Sequence, residues 1–227
     1  MIANIFVAFF LKGGPIMWPI LVCAVVAIAV VGERAFWWWH ESHLRDHDTL
    51  MKIMDALHRG DLKGAASLGK GSQDPVIQMV DHGLNDHETS LQVAMQAAAG
   101  AVLRRAGRFL PVMDTLVTLA PLLGLLGTVT GIMRSFTSIG SAELAVGKVT
   151  GGIGEALIAT ACGLGIAIFS LIPYNYFSGR VTRLQFELEA AATNVELMAH
   201  PVLSESGAVK LDGRSGAGSP AEPGLSR

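Results

Sequence analysis

Three polar residues, Thr128, Glu155 and Thr160, stand inside or at the mouth of long apolar stretches, where an ordinary membrane anchor has none. Polar groups at that depth are costly, so they mark a candidate ion pathway unless a local partner satisfies them. Each threonine has two interpretations: its hydroxyl bonds a carbonyl one turn earlier, or it faces water or a proton carrier. Glu155 also has two interpretations. It is a functional group at the mouth of the helix, or it is only a helix-start carboxylate, which the first turn of a helix stabilises without any further role.

Small residues recur at helical spacing around both threonines. The first stripe consists of Val117, Pro121, Gly124, Thr128, Gly131 and Ser135, and the second of Gly152, Ala156, Thr160, Gly163, Ala167 and Ser170. In lipid, such stripes let two helix backbones approach closely or leave a narrow cavity. The residues interpreted first as helix-packing positions are Pro121, Gly124, Gly131 and Gly163.

The two stripes can pack against each other or face each other across a passage. We expect a single copy to leave both stripes exposed to lipid, which predicts a homo-oligomer whose copies bury them against neighbours. Glu155 and Thr160 lie about 140° apart on an ideal helix. Both therefore line one passage only if the helix is irregular or the passage is shared between subunits.

The composition indicates an all-α integral membrane protein. Hydrophobic residues make up 51% of the 227 positions, and the mean hydropathy is +0.45, which is too apolar for an ordinary soluble domain. A net charge of −2 gives no indication of a nucleic-acid partner. The sequence contains no nucleotide-binding loop, catalytic triad or zinc motif, so we predict no enzyme activity and no cofactor.

Breaks between apolar runs divide the chain into eight segments. Glycines and a proline after Lys12 interrupt a first run too short to span, and tryptophans at positions 37–39 suit the headgroup layer. The predicted segments are an external interfacial helix (1–14), a first membrane helix (15–39), a cytoplasmic helical region (40–109), a second membrane helix (110–136), an external loop (137–150), a third membrane helix (151–177), a cytoplasmic helix (178–200) and a disordered tail (201–227).

Several local signals refine this division. Asp61 and the Asp74-Pro75 pair have the residue types of helix starts. The last cytoplasmic helix is expected to end near His200-Pro201, before a Gly-, Ser- and Pro-rich tail. Lysines and arginines concentrate beside one set of span ends, which predicts an external N-terminus and a cytoplasmic C-terminus.

Histidines and cysteines offer weaker candidates for chemistry. His40, His43 and His47 could share a helix face as metal ligands, yet the neighbouring Trp and Asp residues explain a wet surface equally well. Cys23 and Cys162 both lie in apolar runs and are interpreted as small packing residues.

Two segments carry a resemblance to a known family. Residues 120–136 read APLLGLLGTVTGIMRSF, and residues 153–168 read IGEALIATACGLGIAI, followed by YNYF at 174–177. These segments, with GGPIMWPIL at 13–21 and GER at 32–34, resemble the MotA/TolQ/ExbB proton channel family on its TolQ/ExbB side. The resemblance covers about residues 13–185.

The resemblance implies a bacterial inner-membrane protein that forms a ring, a pentamer in that family. The ring encloses single-span partners similar to ExbD or TolR, each with a membrane aspartate that gains and loses an ion, and works with a TonB/TolA-like protein. Thr128 and Thr160 match the family's pore threonines, and Glu155 matches its membrane glutamate. A non-conducting scaffold remains the alternative, while an independent transporter is weaker because three spans offer no internal repeat.

Overall fold

The structure, a computed structural model, describes residue 10 and residues 13–85, 90–137 and 145–215, with side chains described except at positions 145, 146, 148 and 200–215. These ranges contain helices and no strand. The helices are α1 Met17–Ser42, α2 His47–His58, α3 Leu62–Gly69, α4 Pro75–Asn85, α5 Leu91–Ala106, α6 Leu110–Thr137 and α7 Ala145–Ser215.

Among the described residues, three stretches are long and apolar enough to cross a membrane. They are Met17–Ser42, Leu110–Thr137 and Val149–Ala199, with mean hydropathies of 2.1, 1.9 and 2.1. At about 1.5 Å per residue, even the shortest exceeds a hydrocarbon core about 30 Å thick. The prediction of an all-α chain with three helices of membrane-spanning length is confirmed.

The ends of α7 differ from the predicted segments. The helix begins at Ala145, so residues 145–150 are helical and the predicted loop over 137–150 is wrong for that part. It also continues past His200-Pro201 to Ser215, so the predicted helix end and the predicted disorder of residues 201–215 are wrong. A proline inside a helix removes one hydrogen bond and does not always end the helix. Most of the interfacial segment 1–14 and all of residues 216–227 lie outside the described residues.

The described chain divides into two compact units. One contains α1, residues 105–137 with α6, and α7 up to Thr182; the other contains residues 43–104 and α7 from Arg183 onward. The first unit includes all three candidate spans for most of their length and holds every predicted ion-pathway and helix-packing residue. It is therefore the part of the molecule that positions the site.

Aspartates start the short helices of the second unit. Asp61 accepts a hydrogen bond from the Gly64 amide at 2.8 Å, and Asp74 accepts one from the Val76 amide at 2.8 Å, so both predicted helix starts are confirmed. Asp46 caps α2 in the same way. Hydrogen bonds from the Thr49 hydroxyl and amide lower the pKa of Asp46. This cap therefore stabilises the fold above the unfolded-state pKa and loses its effect as the pH falls through the folded-state value.

A buried guanidinium joins α1 to the turn that precedes α6. Arg34 is 1% exposed, and its Nη1 donates to the carbonyls of Arg105 and Ala106 at 3.1 and 3.2 Å. Its Nε and Nη2 donate to the two carboxylate oxygens of Glu33 at 2.5 and 2.7 Å. The last carbonyls of a helix have no donor of their own, so Arg34 supplies one. The guanidinium also lies 5.7 Å from the centre of the Phe109 ring. The backbone of Phe109 has φ +65°.

We expect Arg34→Gln to lower the thermal unfolding midpoint of the detergent-solubilised chain. The shorter amide cannot serve both carbonyls and the Glu33 carboxylate, and each buried group left unsatisfied costs about 1–3 kcal/mol. Arg34→Lys keeps the charge but loses the planar guanidinium, so its unfolding midpoint should lie between those of the wild type and Arg34→Gln. Arg108→Gln, at an exposed arginine of the same turn, is the matched control. Equal midpoints for Arg34→Gln and Arg108→Gln would contradict the clamp.

Candidate functional site

The α6 and α7 backbones approach each other through small residues. A β-carbon at Gly124 would lie 3.0 Å from the Thr160 Cα, and one at Gly131 would lie 3.0 Å from the Ala156 Cβ. A β-carbon at Gly163 would meet the Ala120 carbonyl oxygen and lie 3.1 Å from the Gly124 Cα. A β-carbon at Gly163 therefore does not fit, because real β-carbons almost never come within 3.0 Å of another atom, and β-carbons at Gly124 and Gly131 would fit only if their neighbours moved by a few tenths of an ångström.

The two small-residue stripes bury each other within one chain. The buried residues of α6, which include Gly124, Gly131 and Ser135 of its stripe, are Met113, Leu116, Ala120, Gly124, Gly127, Gly131 and Ser135, and those of α7 in the same unit include Ala156, Ala159, Gly163, Ala167 and Ser170. The expectation that a single copy exposes both stripes to lipid is therefore wrong. Their mutual packing removes that particular reason for a ring, although it leaves the outer faces of both helices free for neighbours.

The observed interface is rotated from the predicted stripes. Gly127 and Ala159 lie at its centre, where a β-carbon on Gly127 would be 2.6 Å from the Ala159 Cβ. Pro121, Thr128 and Thr160 lie at its edge and are only half-buried. Pro121 sits inside α6, and because proline has no N–H, the carbonyl four residues earlier loses its helical donor.

Thr160 forms a hydrogen bond between the two helices. Its hydroxyl lies 2.9 Å from the Gly124 carbonyl oxygen of α6 and 3.3 Å from the Ala156 carbonyl oxygen of its own helix. One hydroxyl proton serves one of these acceptors at a time or is shared between them. Thr160 therefore has a polar partner on α6 as well as the one-turn-earlier carbonyl considered from the sequence.

Thr128 bonds within its own helix. Its hydroxyl donates to the Leu125 carbonyl, three residues earlier, at 2.6 Å. This geometry corresponds to the first of the two interpretations of a membrane threonine. A hydroxyl that donates to the backbone still has lone pairs, so Thr128 can also accept a hydrogen bond from a group outside the chain.

The first helix covers one flank of the α6–α7 pair. Met17, Ile20 and Cys23 of α1 pack with Leu123 of α6 and with residues of α7 that include Cys162 and Ile166. On an ideal helix Thr128 lies about 140° from Leu123, and Thr160 lies about 160° from Cys162. In the antiparallel pair both threonines consequently lie on the same flank, the one that α1 does not cover.

Glu155 lies on the covered flank. Its Oε1 is 3.1 Å from the Arg134 Nη1, and its carboxylate occupies the space where a β-carbon at Gly14 would lie. Gly14 has φ +71°, a conformation that favours glycine. The structure thus brings together Gly14, Arg134 and Glu155, and separately Thr128 and Thr160, but does not join the two sets within one chain.

Arg134 is the residue that sequence reasoning missed. In the sequence it is only one of the basic residues near the ends of the spans. The signal was present in the two stripes: if Gly131 is set against Ala156 in an antiparallel pair, the last turn of α6 lies beside the turn of α7 that carries Glu155. Pairing the helices in register would have predicted the ion pair.

The cysteines and histidines add no further site to this unit. Cys23 is buried and Cys162 is half-buried, and both are free thiols. Within the described ranges, no group of three or more His, Cys, Asp and Glu residues is arranged to hold a metal ion.

Comparison with known proteins decides the family. Residues 70–190 match the sequence profile of the MotA/TolQ/ExbB proton channel family, which is more than half of the 227-residue chain. The chain belongs to the MotA/TolQ/ExbB family. The resemblance noted on the two signature segments is therefore confirmed.

Relatives from several organisms support this membership. An ExbB-like biopolymer transport protein of Synechocystis sp. is 33% identical over 195 residues, covering 83% of this chain and 92% of the relative. The Tol-Pal system protein TolQ of Pseudomonas aeruginosa is 43% identical over 88 residues, covering 38% of each chain. The biopolymer transport protein ExbB of Neisseria gonorrhoeae is 32% identical over 108 residues, covering 47% of this chain and 49% of the relative.

As a test of the helix contact in this family member, Gly163→Ala should lower the thermal unfolding midpoint by several degrees, whereas Gly165→Ala should not. The new methyl at position 163 meets the Ala120 carbonyl, while position 165 has no atom within 4 Å. Overpacking of this kind costs about 1–3 kcal/mol. Both variants gain the same helix propensity, so the pair isolates the contact. Similar midpoints for the two variants would show that α6 and α7 are not this close.

Proposed function

We propose that this chain is an ion-driven channel or motor subunit of the bacterial inner membrane. It assembles as a homo-oligomeric ring, a pentamer by family resemblance, around an ExbD/TolR-like single-span partner with a membrane aspartate. The proton motive force then drives envelope work or energised transport through that partner and a TonB/TolA-like protein. Family membership and relatives named as ExbB-like and TolQ proteins support this proposal.

The uncovered flank of the α6–α7 pair carries the proposal. It presents Thr128 and Thr160 at the edge of a tight, small-residue interface and has no packing from α1. A hydroxyl relays a hydrogen bond but holds no charge at neutral pH. Neither the stretch between Asp114 and Arg134 nor that between Glu155 and Glu187 contains an acid, so a proton crossing here needs a carboxylate brought by another protein.

A ring of several copies would place a partner helix against this flank. If the uncovered flanks of several copies face a common axis, they enclose a passage lined by small and hydroxyl residues, and a partner helix in that passage is desolvated on all sides. Large apolar residues elsewhere on α6, including Leu122, Met133 and Phe136, are more than 60% exposed in the single chain. Lipid and neighbouring copies are the surroundings that suit such faces.

Orientation follows from the basic residues. Arg34, Arg108 and Arg180 lie beside one set of helix ends, which the positive-inside rule assigns to the cytoplasm. The N-terminus then lies outside and the C-terminus inside. In this arrangement the Arg134–Glu155 pair lies at the external side, where protons enter.

A scaffold that conducts nothing is the second candidate. It is favoured by the hydrogen bonds of both threonine hydroxyls to backbone carbonyls and by the ion pair that engages Glu155. In that case all these groups are satisfied locally and need no partner.

Proton flux separates the two candidates. The chain is reconstituted into vesicles with and without the single-span protein that co-purifies with it, and internal pH is followed after a potential is applied. The proposal predicts flux that requires both proteins. Flux indistinguishable from that of empty vesicles, in a complex whose composition has been verified, would support the scaffold.

Thr128 and Thr160 can be tested by removing and then restoring the hydroxyl. Thr→Val at either position keeps the shape and removes the hydrogen-bonding group. An unsatisfied partner group costs about 1–3 kcal/mol, which slows a step that feels it fully by about one to two decades. Thr→Ser should be milder. Partner-dependent flux is measured after size-exclusion chromatography shows that each variant assembles, and equal flux from all four variants would remove the hydroxyl mechanism.

Glu155→Gln tests the carboxylate at nearly constant size. The variant keeps a hydrogen-bond acceptor for Arg134 but removes the negative charge that favours a cation at the entrance. We expect assembly to be retained and partner-dependent flux to fall. Wild-type flux from Glu155→Gln would mean that the carboxylate serves only the helix and its ion pair.

A further inference from the structure

We infer that Arg134 is a positioning residue of the ion pathway: together with Gly14, it holds the Glu155 carboxylate in one place between the ends of the three membrane helices. This inference rests on the proposed function, because it assigns Arg134 a part in the action of Glu155. It concerns a residue outside the family's threonines and glutamate.

The ion pair is the first observation. The Arg134 Nη1 and the Glu155 Oε1 are 3.1 Å apart, and the two side chains are 52% and 28% exposed. A pair this exposed adds little to stability in water. Its main effect is therefore on where the Glu155 side chain points.

Gly14 is the second and independent observation. It precedes α1 with φ +71°, and a β-carbon at this position would overlap the Glu155 carboxylate. Any other residue would therefore have to displace the carboxylate or the backbone. A backbone from the first helix and a guanidinium from the second thus confine one side chain of the third.

The confinement determines what Glu155 can reach. With both contacts intact, the carboxylate stays on the flank that α1 covers, about 140° around the helix from Thr160. Without Arg134, the side chain can leave this position and its charge is no longer balanced there.

A double-mutant cycle tests the inference in the complex with the co-purifying partner. The variants are Arg134→Gln, Glu155→Gln and both together, with Arg134→Lys as the rescue that keeps the positive charge. We expect Arg134→Gln to lower partner-dependent proton flux about threefold to tenfold, in the range of coupling between residues of one ion pair. The double variant should equal Glu155→Gln alone, and Arg134→Lys should recover most of the flux.

Two glycine-to-alanine substitutions test the contact between Gly14 and the Glu155 carboxylate in the same assay. Gly14→Ala should lower flux as Arg134→Gln does, because the methyl displaces the carboxylate. Gly154→Ala, next to Glu155 but with no atom within 4 Å of the new methyl, should not. Assembly and the thermal midpoint are measured for every variant, so that loss of flux is not confused with loss of fold.

The outcomes are distinguishable. Non-additive flux with recovery by lysine supports the positioning role. Effects of Arg134→Gln and Glu155→Gln that multiply overturn it while the proposed function stands, and so does an Arg134→Gln variant with an altered midpoint but wild-type flux. If the wild-type complex passes no protons, the proposed function fails and the inference fails with it.

Discussion

The close approach of two helix backbones is the constraint on which the rest of this structure depends. In hydrocarbon, burying apolar surface does not bring helices together, so van der Waals contact between small residues must do so. Gly124, Gly131 and Gly163 bring α6 and α7 so close that an added methyl would lie 3.0 Å or less from an atom of the facing helix. At these glycines the two backbones are in direct contact, so an ion path of the kind proposed runs along the pair and not between the helices.

Guanidinium groups tie the two ends of α6. At its start, Arg34 of α1 binds the carbonyls of the preceding turn, and in its last turn Arg134 binds Glu155 of α7. Between them the buried residues of the interface are mostly small or apolar, and the Thr160 hydroxyl bonds across it to the Gly124 carbonyl. The first helix, α1, packs against a single flank of the α6–α7 pair. Thr128 and Thr160, the two hydroxyl groups proposed for ion transfer, lie at the other flank, whereas Glu155 lies on the covered one.

The membrane helices were predictable because long apolar runs and their breaks are properties of the chain itself. The exact faces were not. The periodicity around Thr128 and Pro121 suggested a stripe centred on them, whereas the buried face is centred on Gly127 and Ala159. Which face of each helix is buried depends on contacts between distant segments, including those with α1, and no single segment contains this information. The partner of Glu155 required the register of two antiparallel helices, which no single segment contains. The end of α7 was predicted too early because Pro201 was interpreted as a stop signal and not as a proline within a continuing helix.

The central claim is that the flank with Thr128 and Thr160, and not the one covered by α1, receives the partner. Site-specific photo-crosslinking in a purified complex of this chain with the proposed single-span partner tests it directly. A photoreactive residue is placed at Thr128 in one variant and at Leu123, which packs with α1, in the other. The account predicts a crosslink to the partner from position 128 and crosslinks only within the chain from position 123. A crosslink to the partner from position 123, with none from position 128, would contradict it.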